Sequence, residues 1–151
     1  MVEQDDIRVL YEEAISWYTK EEQSNFHLNS VGNFIQHMDE LPYYSIKSEV
    51  RNRIKDYLLF LKENRTNYNL NSLELFEEYV HPVGTIYTNY LQFGIKSKVW
   101  IVGIWMVIIN LLAYIIFNNN YINAAVTAFI LTYYVKFLIK EKQNKVYCYK
   151  Y

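Results

Sequence analysis

The sequence predicts an all-α protein, a small cytoplasmic helical bundle followed by a two-helix transmembrane hairpin. Three observations carry that prediction. Two apolar runs, Val99 to Phe117 and Tyr121 to Ile139, stand back to back with only Asn118, Asn119 and Asn120 between them. Each holds nineteen residues, which at about 1.5 Å per helical residue reaches roughly 28 Å, the thickness of a bilayer's hydrocarbon core. Ahead of the runs, apolar residues recur every three or four positions, the period of an amphipathic helix. Charge is also divided: residues 1 to 95 hold fifteen Asp and Glu against eight Lys and Arg, whereas residues 96 to 151 hold seven Lys against Glu141 alone.

The first helix follows Asp5 and Asp6, with Ile7, Leu10, Tyr11, Ala14, Trp17 and Tyr18 on one stripe, and is expected to end around Gln23. Ser30 is the expected cap of a second helix through Phe34, Ile35, Met38 and Leu41, which Pro42 stops. Ile46, Val50, Ile54, Tyr57, Leu58 and Leu61 mark a third and clearest helix, from Ser45 to about Asn64. Asn71 followed by Glu74 has the form of a capping box for a fourth, with Leu73, Phe76 and Val80 as its stripe and His81-Pro82 bending or ending it.

Residues 79 to 97 carry Tyr87, Tyr90 and Phe93 among Thr85, Thr88, Asn89 and Gln92, too polar and too broken by Pro82, Gly84 and Gly94 to span a bilayer. Tyrosines favour the headgroup zone, so an interfacial helix is expected there, with Trp100 as a further interfacial aromatic. A fifth helix packed into the bundle is the alternative. The expected organisation is therefore a cytoplasmic helical domain over 1–78, a juxtamembrane helix over 79–97, the hairpin over 98–139 and a basic tail over 140–151.

The basic residues set the expected orientation. Lys96 and Lys98 precede the first run, Lys140, Lys142, Lys145 and Lys150 follow the second, and the loop between has no charge. The positive-inside rule places both termini in the cytoplasm of a bacterial inner or plasma membrane, with the stem of Lys136 snorkelling to the headgroups. Inside the hairpin, Gly103, Asn110 and Tyr114 share one face of the first run, and Ala124, Ala128 and Thr132 repeat every four residues on the second. Small and polar residues are what membrane helices pack through, so the two faces are expected to meet, with Asn110 near Thr127 and Ala128, or else to face a pore in an oligomer.

Catalytic chemistry is not expected, and neither is a cofactor. Glycine occurs only at 32, 84, 94 and 103, which leaves no phosphate-binding loop. His27, His37 and His81 have no second ligand at metal spacing. The acidic first portion argues against nucleic acid as a partner. Two functions fit: a non-enzymatic adaptor or regulator whose acidic domain binds a protein partner or self-associates at the bilayer surface, and an oligomeric pore-forming or membrane-disrupting effector, or immunity protein, of a bacterial conflict system. The second rests on analogy of architecture alone.

Overall fold

The structure, a computed structural model, describes residues 2–67, 70–117 and 120–147. It is predominantly helical: α1 Val2–Trp17, α2 Lys20–Asn25, α3 Leu28–His37 with a 3₁₀ turn at Met38–Glu40, α4 Tyr44–Glu63, α5 Ser72–Leu75 with a π turn at Phe76–Val80, α6 His81–Leu91, α7 Lys96–Phe117 and α8 Asn120–Lys142. Two-residue strands, β1 Gly94–Ile95 and β2 Val146–Tyr147, form a small sheet. The chain divides into two compact units, residues 1–93 with 147–151, and residues 94–146.

The first unit is a helical bundle. Ile7, Leu10 and Ala14 of α1, Val31, Phe34 and Ile35 of α3, Val50, Ile54, Tyr57, Leu58 and Leu61 of α4, and Val83 and Tyr87 of α6 form its buried core. Burying such a side chain contributes about 1.5–3 kcal/mol, and this inward stripe is what the periodicity records. Polar residues fill the outer faces. Lys55 reaches Asp6 at 2.9 Å and Lys62 reaches Glu13 at 3.4 Å between α4 and α1; both pairs are exposed, so they orient the helices more than they stabilise them.

Several boundaries differ from the sequence expectation for local reasons. The first helix stops at Trp17, because Thr19 caps a new helix: its hydroxyl accepts from the Glu22 N–H while the Glu22 carboxylate takes the Thr19 N–H at 2.8 Å. Ser30 does not cap the second helix; it is buried within α3, which starts at Leu28 behind His27 in the left-handed conformation, φ 54°. Asn71 does cap α5, accepting from the Leu73 N–H at 2.9 Å and donating to the Glu74 carboxylate at 3.0 Å. Pro82 does not end the helical path. Backbone at Leu75, Val80 and His81 stays right-handed through the π turn, and Pro82 enters in the first turn of α6, the part of a helix that tolerates proline best.

Tyr87 and Phe93, expected at a bilayer interface, are core residues of this bundle, 0% and 2% exposed. The polar Thr85, Thr88 and Asn89 that made this segment look interfacial occupy other faces of α6, and α6 is a bundle helix. Tyr90 alone of the three is exposed, its ring edge-on to Tyr43 at 6.4 Å.

In the second unit α7 and α8 fold back on each other as a hairpin. The end of α8 is closed by Asn144 at φ 54°, with the Asn144 N–H bonded to the Glu141 carbonyl at 3.0 Å and the Lys145 N–H to the Lys140 carbonyl at 2.8 Å. That pattern is a Schellman cap. The Gly94 N–H then takes the Lys145 carbonyl at 2.9 Å and ties the two ends of the unit together.

The membrane assignment is overturned. Among the described residues no helix is long and apolar enough to cross a membrane, so neither a transmembrane hairpin nor an integral-membrane localisation is supported. A span needs about twenty predominantly apolar residues. Here α8 alone carries Asn123, Thr127, Thr132 and Lys136, with Lys140 and Lys142 in its last turn. The orientation drawn from the lysines falls with it. Asn118 and Asn119 of the expected loop and Cys148 to Tyr151 of the expected tail lie outside the described residues.

Candidate functional site

The hairpin unit turns large apolar side chains outward on both helices. On α7 these include Ile104, Trp105, Leu111 and Ile115, 60%, 60%, 59% and 75% exposed; on α8 they include Tyr121, Phe129, Leu131 and Val135. Met106, Ile109, Ala125, Val126, Phe129 and Ile130 line an open cleft of about 400 Å³. A larger groove of about 600 Å³ runs along the same unit past Gly103, Ile104, Val107, Leu131, Tyr134 and Leu138, with Glu141 at its end. It is almost wholly apolar.

Polar groups concentrate at one level of the hairpin. Asn110 donates from Nδ2 to the Thr127 hydroxyl at 3.0 Å, which links the two helices directly. A third cleft, of about 390 Å³, is lined by Val107, Asn110, Leu111, Tyr114 and Asn123. The Oδ1 of Asn123 is buried there without a hydrogen-bond partner. An amide nitrogen has two protons, and only one of Asn110's serves Thr127.

The remaining sequence-derived residues distribute unevenly. Ala124, Ala128 and Thr132 are exposed, and the Thr132 hydroxyl bonds its own helix at the Ala128 carbonyl, 2.8 Å away. That stripe is exposed, whereas Asn123, Val126 and Ile130 of the same helix are partly covered. A Cβ added at Gly103 meets nothing within 4 Å, so this glycine marks open groove and no close helix approach. Lys136 and Lys142 are exposed, Lys140 and Lys145 partly covered. Lys96, Lys98 and Trp100 lie in the first turns of α7, and their side chains are outside the described residues.

Two arrangements in the bundle escaped sequence reasoning. In the first, His27 and Ser72, 45 residues apart, come together: the histidine Nε2 lies 2.9 Å from the Ser72 carbonyl and 3.1 Å from its hydroxyl, which itself donates to the Asn25 carbonyl at 2.7 Å. A carbonyl can only accept, so Nε2 carries the proton and cannot act as a base toward this serine. The pair fastens α5 to the α2–α3 corner. Among the described residues no group of His, Cys, Asp and Glu is placed to hold a metal ion.

The second arrangement is a set of buried phenols. Tyr57 donates to the Phe26 carbonyl at 2.5 Å, Tyr87 to the Phe34 carbonyl at 2.5 Å, and Tyr18 to the Leu61 carbonyl at 3.0 Å. Desolvation by burial pushes all three above the ordinary tyrosine range. Tyr147 differs. It is 1% exposed, beside Phe34 with ring centroids 5.5 Å apart and stacked on Phe76 at 6.3 Å, and its ring covers Gly84 so closely that any Cβ there would collide with it.

No hydrogen bond of proper geometry reaches its oxygen. Burial raises its pKa, and the Thr88 and Thr85 hydroxyls oppose that shift only in part. Both of those hydroxyls already donate, to the Gly84 and His81 carbonyls. Burying the ring stabilises by about 2–3 kcal/mol, and an orphaned buried hydroxyl costs about 1–3 kcal/mol.

No family model matches this chain, and neither a curated protein nor a solved structure is significantly similar to it.

Proposed function

We propose that this chain is a non-catalytic association protein: the α7–α8 unit brings copies of the chain together, and the acidic helical unit is the part that meets a protein partner. The observation that carries this reading is the outward display of Ile104, Trp105, Leu111, Ile115, Tyr121 and Phe129 on one hairpin. Proteins that work as monomers in water rarely leave contiguous apolar patches beyond a few hundred Å² uncovered. A second copy fits the polar level as well. Asn110 offers an amide proton and Tyr114 a hydroxyl, able to donate and to accept, in the same cleft, and a surface carrying both donors and an acceptor can complement itself.

The Ser72–His27 pair does not favour a catalytic reading. The Ser72 hydroxyl proton is given to Asn25 and the His27 Nε2 proton to the Ser72 carbonyl, so neither is poised to attack.

Sedimentation velocity of the full chain at micromolar concentration tests the proposal. The parent should sediment as an oligomer, and Ile104→Glu combined with Phe129→Glu should shift it to monomer while far-ultraviolet circular dichroism stays helical. A monomeric parent, or a double variant that assembles like the parent, overturns it.

A further inference from the structure

We infer that the slot in the first unit between Phe34, Phe76 and Gly84 is a binding site for an aromatic ring carried on an extended chain, and that Tyr147 is its displaceable occupant in cis. Three observations separate Tyr147 from the permanent core tyrosines. Tyr57 and Tyr87 each secure their hydroxyl to a main-chain carbonyl, whereas the Tyr147 oxygen is buried without such a bond. Tyr57 and Tyr87 stand within helices α4 and α6, whereas Tyr147 is the one described residue by which the chain re-enters this unit after residue 93.

The slot, moreover, exists because α6 lacks a side chain at Gly84: a Cβ there would meet the Tyr147 ring at Cζ, Cε2 and Cδ2. It is an indentation in a helix surface, flanked by aromatic rings at 5.5 and 6.3 Å, and so it accepts a flat ring of any origin. A residue held by its ring and a two-residue strand, with its hydroxyl bonded to no main-chain carbonyl, opens locally without unfolding the bundle around it. The class of ligand follows: a phenol or benzyl side chain on a peptide with extended backbone, competing with Tyr147 for the same place.

Two measurements on the full chain decide this. Tyr57, Tyr87 and Tyr147 are equally hidden, at 1%, 0% and 1% exposure, so a static structure leaves all three silent toward tetranitromethane. A displaceable Tyr147 is nitrated at least about tenfold faster than the other two, as local opening requires; equal rates overturn the proposal.

The second measurement uses p-cresol as the probe. In Tyr147→Ala it should raise the urea midpoint back toward that of the parent, leave the parent midpoint unchanged, and lose its effect when Gly84→Leu fills the slot in the same chain. A shift of parent and variant alike, or of neither, overturns the proposal. If Tyr147→Ala does not fold, the ring is indispensable core, and nitration of the parent then decides whether it also opens. The outcome is independent of the oligomeric state, which tests the hairpin reading separately.

Discussion

The Tyr87 hydroxyl donates to the Phe34 carbonyl at 2.5 Å across 53 residues of sequence, while the two rings lie 4.8 Å apart. One contact thus joins α6 to α3 by both its ring and its oxygen. Tyr87→Phe keeps the ring and strands the carbonyl. The expected loss is about 1–3 kcal/mol, read as a lower urea midpoint with unchanged slope; a loss below about 0.5 kcal/mol would mean that water or a rearranged neighbour satisfies Phe34.

Gly84 gives a prediction whose sign is informative. Replacing glycine by alanine inside a helix ordinarily stabilises by about 1 kcal/mol. Here the new methyl would collide with the Tyr147 ring, so Gly84→Ala should destabilise the parent. In a Tyr147→Ala background the same change should regain the ordinary stabilising sign. Chemical denaturation of the four chains forms a double-mutant cycle, and additivity would show that the two residues are not in contact.

Thr19→Ala removes the hydroxyl that holds the start of α2 and leaves the Glu22 carboxylate with half of its capping box. Expected cost is about 0.5–2 kcal/mol. The Glu22 carboxyl, held below its ordinary range by the Thr19 backbone and side-chain hydrogen bonds, should titrate closer to a free carboxylate in that variant, which a carbon-13 NMR titration reads directly.

Alkaline pH should weaken the bundle. Burial raises the folded-state pKa of Tyr57 and Tyr87 above the ordinary value of 10.0, while the unfolded chain ionises near 10. Their contribution is complete below pH 10 and declines as pH rises past it, because only the unfolded state releases the protons. Each such tyrosine contributes a slope of about 1.4 kcal/mol per pH unit. Urea midpoints between pH 9 and 11.5 should fall, and the phenolate absorbance of these two residues should appear with unfolding and not before it.

Asn110→Leu separates polar from apolar contributions in the hairpin. The bond to Thr127 is solvent-accessible, so its loss should change unfolding stability by less than about 1.5 kcal/mol. Association driven by the surrounding apolar side chains should persist. Loss of assembly in this variant by sedimentation would instead assign the interface to the polar level.

The bundle was legible where a helix buries one stripe, as in α4, whose Val50, Ile54, Tyr57, Leu58 and Leu61 are all inside. The break after Trp17 had a readable signal in Thr19-x-x-Glu22, the capping-box pattern. His27 at positive φ had none, because the backbone there is set by the corner that His27 and Ser72 hold together. The second unit was read from the length of its apolar runs, their lack of carboxylates and the lysines at their ends. Those signals do not say what covers a helix, and they led to a bilayer. Asn110 and Thr127 do lie opposite each other, since antiparallel register follows from distance to the turn. The exposure of Ala124 and Ala128 was hidden, because spacing of four residues defines a stripe but not the direction it faces. Tyr147 could not be found at all: its slot is made by the absence of a side chain on a helix far away in sequence.

The late position of Tyr147 has a consequence for biosynthesis. All other described residues of the first unit have left the peptidyl-transferase centre by Phe93, yet the ring that fills the slot beside Gly84 is polymerised only after the whole of α7 and α8. At roughly 5–20 residues per second, the slot beside Gly84 waits several seconds for its tyrosine, with Phe34 covered meanwhile by Tyr87 and Phe93 and Phe76 by His27 and His81.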